Sequence, residues 1–145
     1  MRTHRLRIGL AAAGALACAS IGPAAADPRG IWQAMDGSKV RIANCGAALC
    51  GTTVSMNPPN DPATGRPWTD KNNSDASKKN RPLVGLVVLI SMQPNGPGKW
   101  SGQLYDTDRG QTFTGNLMEL GPTTVRVEGC ALGICDGENM TRVGR

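Results

Sequence analysis

Apolar residues in this chain recur mostly at every second position, in short segments separated by breaks rich in glycine, proline, asparagine and aspartate. A period of two belongs to strands that bury one face. The longest unbroken apolar run after the N-terminal leader is Leu83, Val84, Gly85, Leu86, Val87, Val88, Leu89 and Ile90, with Arg81 and Pro82 leading in. Its length and β-branched content predict a strand buried on both faces, to which the remaining segments are partners.

Upstream of that run, residues 30–35 predict a first strand, and Asp36 with Gly37 is a two-residue hairpin signal. Lys39, Val40, Arg41 and Ile42 then alternate, and residues 51–56 return after a small loop, making a three-stranded meander. Downstream, Pro94 to Gly98 make a turn, residues 100–106 a strand, and Asp106 to Gly110 a hairpin. Residues 112–120, 124–128 and 138–143 complete the set. The expectation is an all-β chain of about seven to eight short strands without a helix, an antiparallel barrel or sandwich.

One segment breaks the rhythm. Residues 57–81 hold Pro58, Pro59, Pro62, Gly65 and Pro67, then a polar run from Asp70 through Asp75. A connection this long inside a small domain is usually functional or disordered. It also carries Trp68, a large apolar side chain to leave unpacked.

The N-terminus has a different pattern. Arg2, Arg5 and Arg7 precede an apolar stretch too short to span a bilayer, and Ala24, Ala25 and Ala26 end it. This describes a secretory signal peptide over residues 1–26, with the mature chain starting at Asp27. Cys18, after Ala15, Leu16 and Ala17, offers a lipoprotein attachment reading on a weaker pattern. Cleavage takes 26 of 145 residues and leaves 119, enough for one core, so residues 27–145 form a single domain destined for the periplasm or the medium. The leader also removes three of the 16 basic residues, leaving 13 against 11 acidic ones. A net charge of +2 carries no nucleic-acid footprint, and no further segment is apolar enough to span a membrane.

The only histidine, His4, leaves with the leader. A mature chain without histidine excludes Ser-His-Asp and Cys-His catalysis and any histidine-ligated metal site. The expectation is a protein that is not an enzyme and takes no cofactor or metal. Four mature cysteines stand in two copies of one spacing, Cys45 with Cys50 and Cys130 with Cys135, each pair flanking a short hairpin loop. In an exported domain this predicts two local disulfides, with a four-cysteine zinc site as the alternative. Asp106 and Asp108 suggest turn chemistry before acid–base catalysis or calcium, and Met35, Met56, Met92, Met118 and Met140 are spread as core filling.

Several of these pieces occur together in an order that resembles a family of exported bacterial proteins, the domain of unknown function numbered 2147. They are Gly30, Ile31 and Trp32; Cys45 and Gly46 with Leu49, Cys50 and Gly51; Asp70 and Asn72; and Arg81 through Leu86. Trp100 and Gly102, then Tyr105, Asp106 and Gly110, and a closing Thr141 and Arg142 complete the match. Met140 stands where that family more often has tryptophan, and Thr107 and Phe113 also depart from its commoner residues. The resemblance implies a lipocalin-like barrel and brings no activity with it. Such barrels carry glycine, any residue and tryptophan on the first strand and arginine on the last, so Trp32 and Arg142 are the expected plug of one end.

An eight-stranded barrel has room for its own side chains or for one small ligand. The inward candidates Val40, Ile42, Val54, Leu86, Val88, Leu104, Phe113, Val125 and Val127 are nearly all aliphatic and would suit an apolar molecule. A site would lie where the long loop meets the mouth, with Trp68, Asp70, Asn72 and Arg81 converging on Trp100 and Tyr105. The competing structural reading has Asp70 and Arg81 tying the loop down and Trp68 covering the barrel end. The functional expectation is therefore a binder of a small apolar ligand, and the alternative is an envelope interaction or stress module with a filled barrel that binds protein or glycan through its loops.

Overall fold

A computed structural model describes residues 27–145. The leader, with the predicted cleavage after Ala26 and the Cys18 alternative, lies outside the described residues. Eight strands follow one another: β1 (Gly30–Gln33), β2 (Lys39–Cys45), β3 (Ala48–Ser55), β4 (Val87–Pro94), β5 (Lys99–Asp106), β6 (Gln111–Gly121), β7 (Thr124–Ala131) and β8 (Ile134–Gly144). Each pairs antiparallel with the next, and β8 returns to β1 to close a barrel in simple up-and-down order. Closure places Trp32 opposite Arg142.

The interior follows the two-residue period. Trp32, Ile42, Leu49, Leu89, Met92, Leu117, Val125, Val127 and Met140 form one buried cluster, with Val40, Trp100 and Leu104 packed against it. Gly102 is required at its place on β5. A bulge in β4 at Ser91, whose φ is 49°, turns the Ile90 and Ser91 carbonyls toward β5, and a Cβ on Gly102 would stand 2.5 and 2.6 Å from those oxygens.

Two expectations change. The apolar run at residues 83–90 is not one doubly buried strand: β4 begins only at Val87, and Val84 and Val87 are exposed. Leu83 is buried apart from the strand, as the end of the long connection. An uninterrupted apolar run has no alternation to set its phase. The phase comes from pairing, which places Leu89 between Gly51 and Leu104. For the same reason β3 turns Thr53 inward, opposite Val40, and not its neighbour Val54; Val54, Leu86, Val88 and Phe113 are half-buried and lie outside the core cluster.

Both disulfides form as local pairs, Cys45–Cys50 and Cys130–Cys135. They staple hairpins at opposite ends of the barrel, so the four-cysteine zinc reading fails. Glu128 lies close to Cys130 and Cys135, but sulfurs bonded to each other offer no thiolate to a metal. Among the described residues no helix is long and apolar enough to cross a membrane.

Candidate functional site

Strand direction sorts the connections into two ends. The β2–β3, β4–β5 and β6–β7 turns share one end with both chain termini; the β1–β2 turn, the long connection after β3, and the β5–β6 and β7–β8 hairpins share the other. The first end is closed. Trp32 is fully buried and its indole N–H donates to the Pro28 carbonyl at 2.7 Å. The Arg142 guanidinium lies 4.2 Å from the centre of the Trp32 ring, and its nitrogens donate to the carbonyls of Pro122 (2.9 Å), Arg29 (2.6 Å) and Asp27 (2.8 Å).

The second end is a mouth. It opens into a cavity of about 450 Å³ whose lower wall is Val40, Leu89, Leu104, Val127 and Met140. The upper wall is mixed, with Trp68, Leu83, Tyr105 and Thr53 among acidic and amide side chains.

The long connection covers this mouth because its polar residues fold it on itself. The Asp61 carboxylate accepts from the Ala63 N–H and from the Lys71 ammonium, and Asp75 caps a single 3-10 turn at Ala76–Lys78 by accepting from the Ser77 N–H. Backbone bonds from Asp70 N–H to the Arg81 carbonyl (2.9 Å) and from Leu83 N–H to the Trp68 carbonyl (3.0 Å) zip its two arms together. Gly110 lets the folded loop sit against the β5–β6 hairpin: its φ is +64°, and a Cβ there would collide with the Asn72 carbonyl.

A buried ionic group locks that arrangement. Asp70 is fully buried, and its carboxylate accepts from the Tyr105 hydroxyl at 2.6 Å, the Asn73 amide at 2.8 Å and the Arg81 Nε at 2.8 Å. The Arg81 guanidinium also lies 5.3 Å from the centre of the Tyr105 ring. Burial pushes the Asp70 carboxyl upward, but the bonds from Tyr105, Asn73 and Arg81 outweigh it and hold the group below the ordinary carboxylate range. Burial and the neighbouring Asp70 charge push the Tyr105 hydroxyl up.

The sequence candidates therefore divide three ways. Trp68, Asn72 and Tyr105 line the cavity; Asp70 and Arg81 do not, and instead tie the loop to the wall. Trp100 stands apart. It begins β5 at the closed end, opposite Pro94 and Leu117, five positions and roughly 17 Å of strand from Tyr105. Trp68 is held by its indole N–H on the Pro58 carbonyl at 2.8 Å and carries the Lys71 ammonium 5.0 Å from its ring centre. Asp106 serves its hairpin, accepting from the Asp108 and Arg109 N–H groups.

Leu83, Asn73, Asp136 and Glu138 were not among the candidates, although Asn73 belongs to the lock and the other three line the cavity. The last two share the alternation of β8 with Met140 and Arg142, and counting back from Arg142 by twos would have found them.

The family model described as an uncharacterized protein conserved in bacteria (DUF2147) matches residues 30–142. The chain belongs to this family. A search among curated proteins found no match. Among solved structures the chain is similar to one described as protein HP1028 from the human pathogen Helicobacter pylori, which belongs to the lipocalin family. The two share 18% identity over 81% of this chain and 84% of that one, with a TM-score of 0.67. At that identity the likeness concerns the fold: this DUF2147 protein is a lipocalin-like, eight-stranded closed barrel.

Proposed function

We propose that this DUF2147 protein is an exported, non-enzymatic binding protein that holds a small, largely apolar molecule in the mouth of its barrel, with the connection between β3 and β4 as a lid. The observation that carries the reading is the cavity. Its volume of about 450 Å³ falls within the range of roughly 300–1,000 Å³ common to small-molecule sites, its deep wall is aliphatic, and the lid adds Trp68 and Leu83 to its upper wall. The two disulfides and the basic, apolar, alanine-ended leader support export to the periplasm or beyond.

The test is native mass spectrometry of protein drawn gently from the periplasm of its own host. The expected result is a discrete added mass that disappears on denaturation and is reduced in a Val127→Trp variant, whose indole would intrude on the aliphatic end of the cavity. A bare protein from the host, together with no binding of apolar probes by purified protein, would overturn the reading.

A second reading, a module that binds protein or glycan through its loops, draws support from apolar side chains displayed around the mouth. Leu132 is wholly exposed at the tip of the β7–β8 hairpin, with Ile134 beside it and Met35 on the β1–β2 turn also exposed. Loss of a partner in Leu132→Ser with ligand binding intact would favour it.

A further inference from the structure

The wall of the cavity changes character with depth. Below, on β8, Met140 is part of the aliphatic floor; two and four residues back along the same alternation, Glu138 and Asp136 line the wall above it. Asp36, from the β1–β2 turn, and Asp108, from the β5–β6 hairpin, also line the mouth. The cations lining the same space are Lys71 and Arg109, and each already has a carboxylate partner, Asp61 and Asp106 respectively, at 2.7 Å. The Asp36 carboxylate accepts from the Ser38 N–H and hydroxyl, and Glu138 accepts from the Met35 N–H at 2.8 Å. Those bonds hold the carboxylates in place without neutralising them. Asp108 and Asp136 have no side-chain partner among the described residues.

We propose that the cavity selects an amphipathic cation: a molecule whose apolar body lies against Val40, Leu89, Leu104, Val127 and Met140 and whose ammonium or guanidinium head meets Glu138 and Asp136. This rests on the binding reading above and adds the charge of the ligand to it. The cavity supplies the site; the carboxylates decide which end of the ligand faces out and what charge that end carries. An anionic head such as a fatty acid's would bring like charge against a wall with no unpaired cation among the described residues. A neutral head would find acceptors but no charge complement. Near the surface such head-group pairing acts through partly screened charges, so it sets preference more than total affinity.

The experiment compares three probes with one apolar body and different heads, decylammonium, decanol and decanoate, titrated calorimetrically into full-length mature protein at neutral pH below their aggregation limits. The expected order is decylammonium about tenfold tighter than decanol, with decanoate weakest, and a preference that shrinks as salt is raised. In Asp136→Asn/Glu138→Gln the ratio of decylammonium to decanol affinity should fall below about twofold. Asp136→Lys, a change at an exposed side chain, should turn the preference toward decanoate. Equal binding of all three probes, or a preference unmoved in both variants, would overturn the cationic selection while leaving an apolar binding site. Failure of all three probes to bind would overturn that site as well.

Discussion

The two ends of the barrel are built from the same strands yet held shut by different means. At the closed end a single large side chain fills the space, and the polar group above it is satisfied by main-chain carbonyls: Arg142 covers Trp32 and holds the backbone of Asp27, Arg29 and Pro122. At the mouth the interior is unfilled, and the cover is a loop fastened by side chains, with Asp70 at the centre. Those carbonyls lie just ahead of β1 and in the short β6–β7 turn, close to strands that are already paired, and Arg142 itself is on β8. Side-chain partners can part while the strands stay paired, so the mouth is the end that can open locally.

The sharpest way to break this comparison is at the closed end. Trp32→Ala removes the largest fully buried side chain and should cost about 4 kcal/mol, read as a large fall in the urea midpoint with the whole barrel unfolding as one unit. At the mouth, Asp70→Ala should cost about 3 kcal/mol, because it leaves Arg81 and the Tyr105 hydroxyl without their buried partner. Here hydrogen exchange separates the two ends: amides of residues 57–86 should lose protection first while those of β1 and β8 keep theirs. Simultaneous loss across all strands in Asp70→Ala would mean that the lid is not a separate unit.

The same lock has a pH window. Asp70 is held below its ordinary value, so the stability it gives is present above about pH 4 and drains away as pH falls through its folded-state value. Tyr105 is held above its ordinary value, so its contribution is complete below about pH 10 and is lost as pH rises through the folded-state value. Opening of residues 57–86, read as exchange relative to the intrinsic rate at each pH, should therefore increase at both extremes; Asp70→Asn should remove the acid limb and also shift the alkaline one, because the Asp70 charge is part of what holds Tyr105 up.

Smaller effects sharpen the closed end. Arg142→Ala should cost about 2 kcal/mol, and Lys should not restore it, since one ammonium cannot both lie over an indole and reach three carbonyls. A double-mutant cycle with Trp32→Phe should give a coupling of about 1 kcal/mol; additivity would show that the two act independently. Smallest of all, Leu132→Ser at the exposed hairpin tip should move stability by less than about 0.5 kcal/mol.

What could be read along the chain was local. Alternation gave the strands, Asp-Gly and Pro-Asn-Gly gave turns, and matched cysteine spacing gave the two hairpin staples, because each of these signals acts within a few residues. The lock at Asp70 was legible only as one of two roles for the same residues. Trp100 was misplaced because two residues on one strand can lie at opposite ends of a barrel, and composition carries no sense of direction. The run at residues 83–90 was misread for a related reason: uniform apolarity gives no phase, and its partners β3 and β5 chose which side chains face in.

By itself, then, the sequence set an all-β chain of about seven to eight strands, favoured the two local disulfides, pointed through the family resemblance to Trp32 and Arg142 as the closing pair, and carries no histidine beyond residue 4, since these depend on residue identity and short-range order. Only the tertiary structure decided that Trp32 and Arg142 plug one end while the other opens into the cavity under the long connection. It also set Asp136 and Glu138 above an aliphatic floor while the mouth's cations were already paired. Cavities and charge balance are properties of what closure brings together across the barrel, and no stretch of sequence holds them alone.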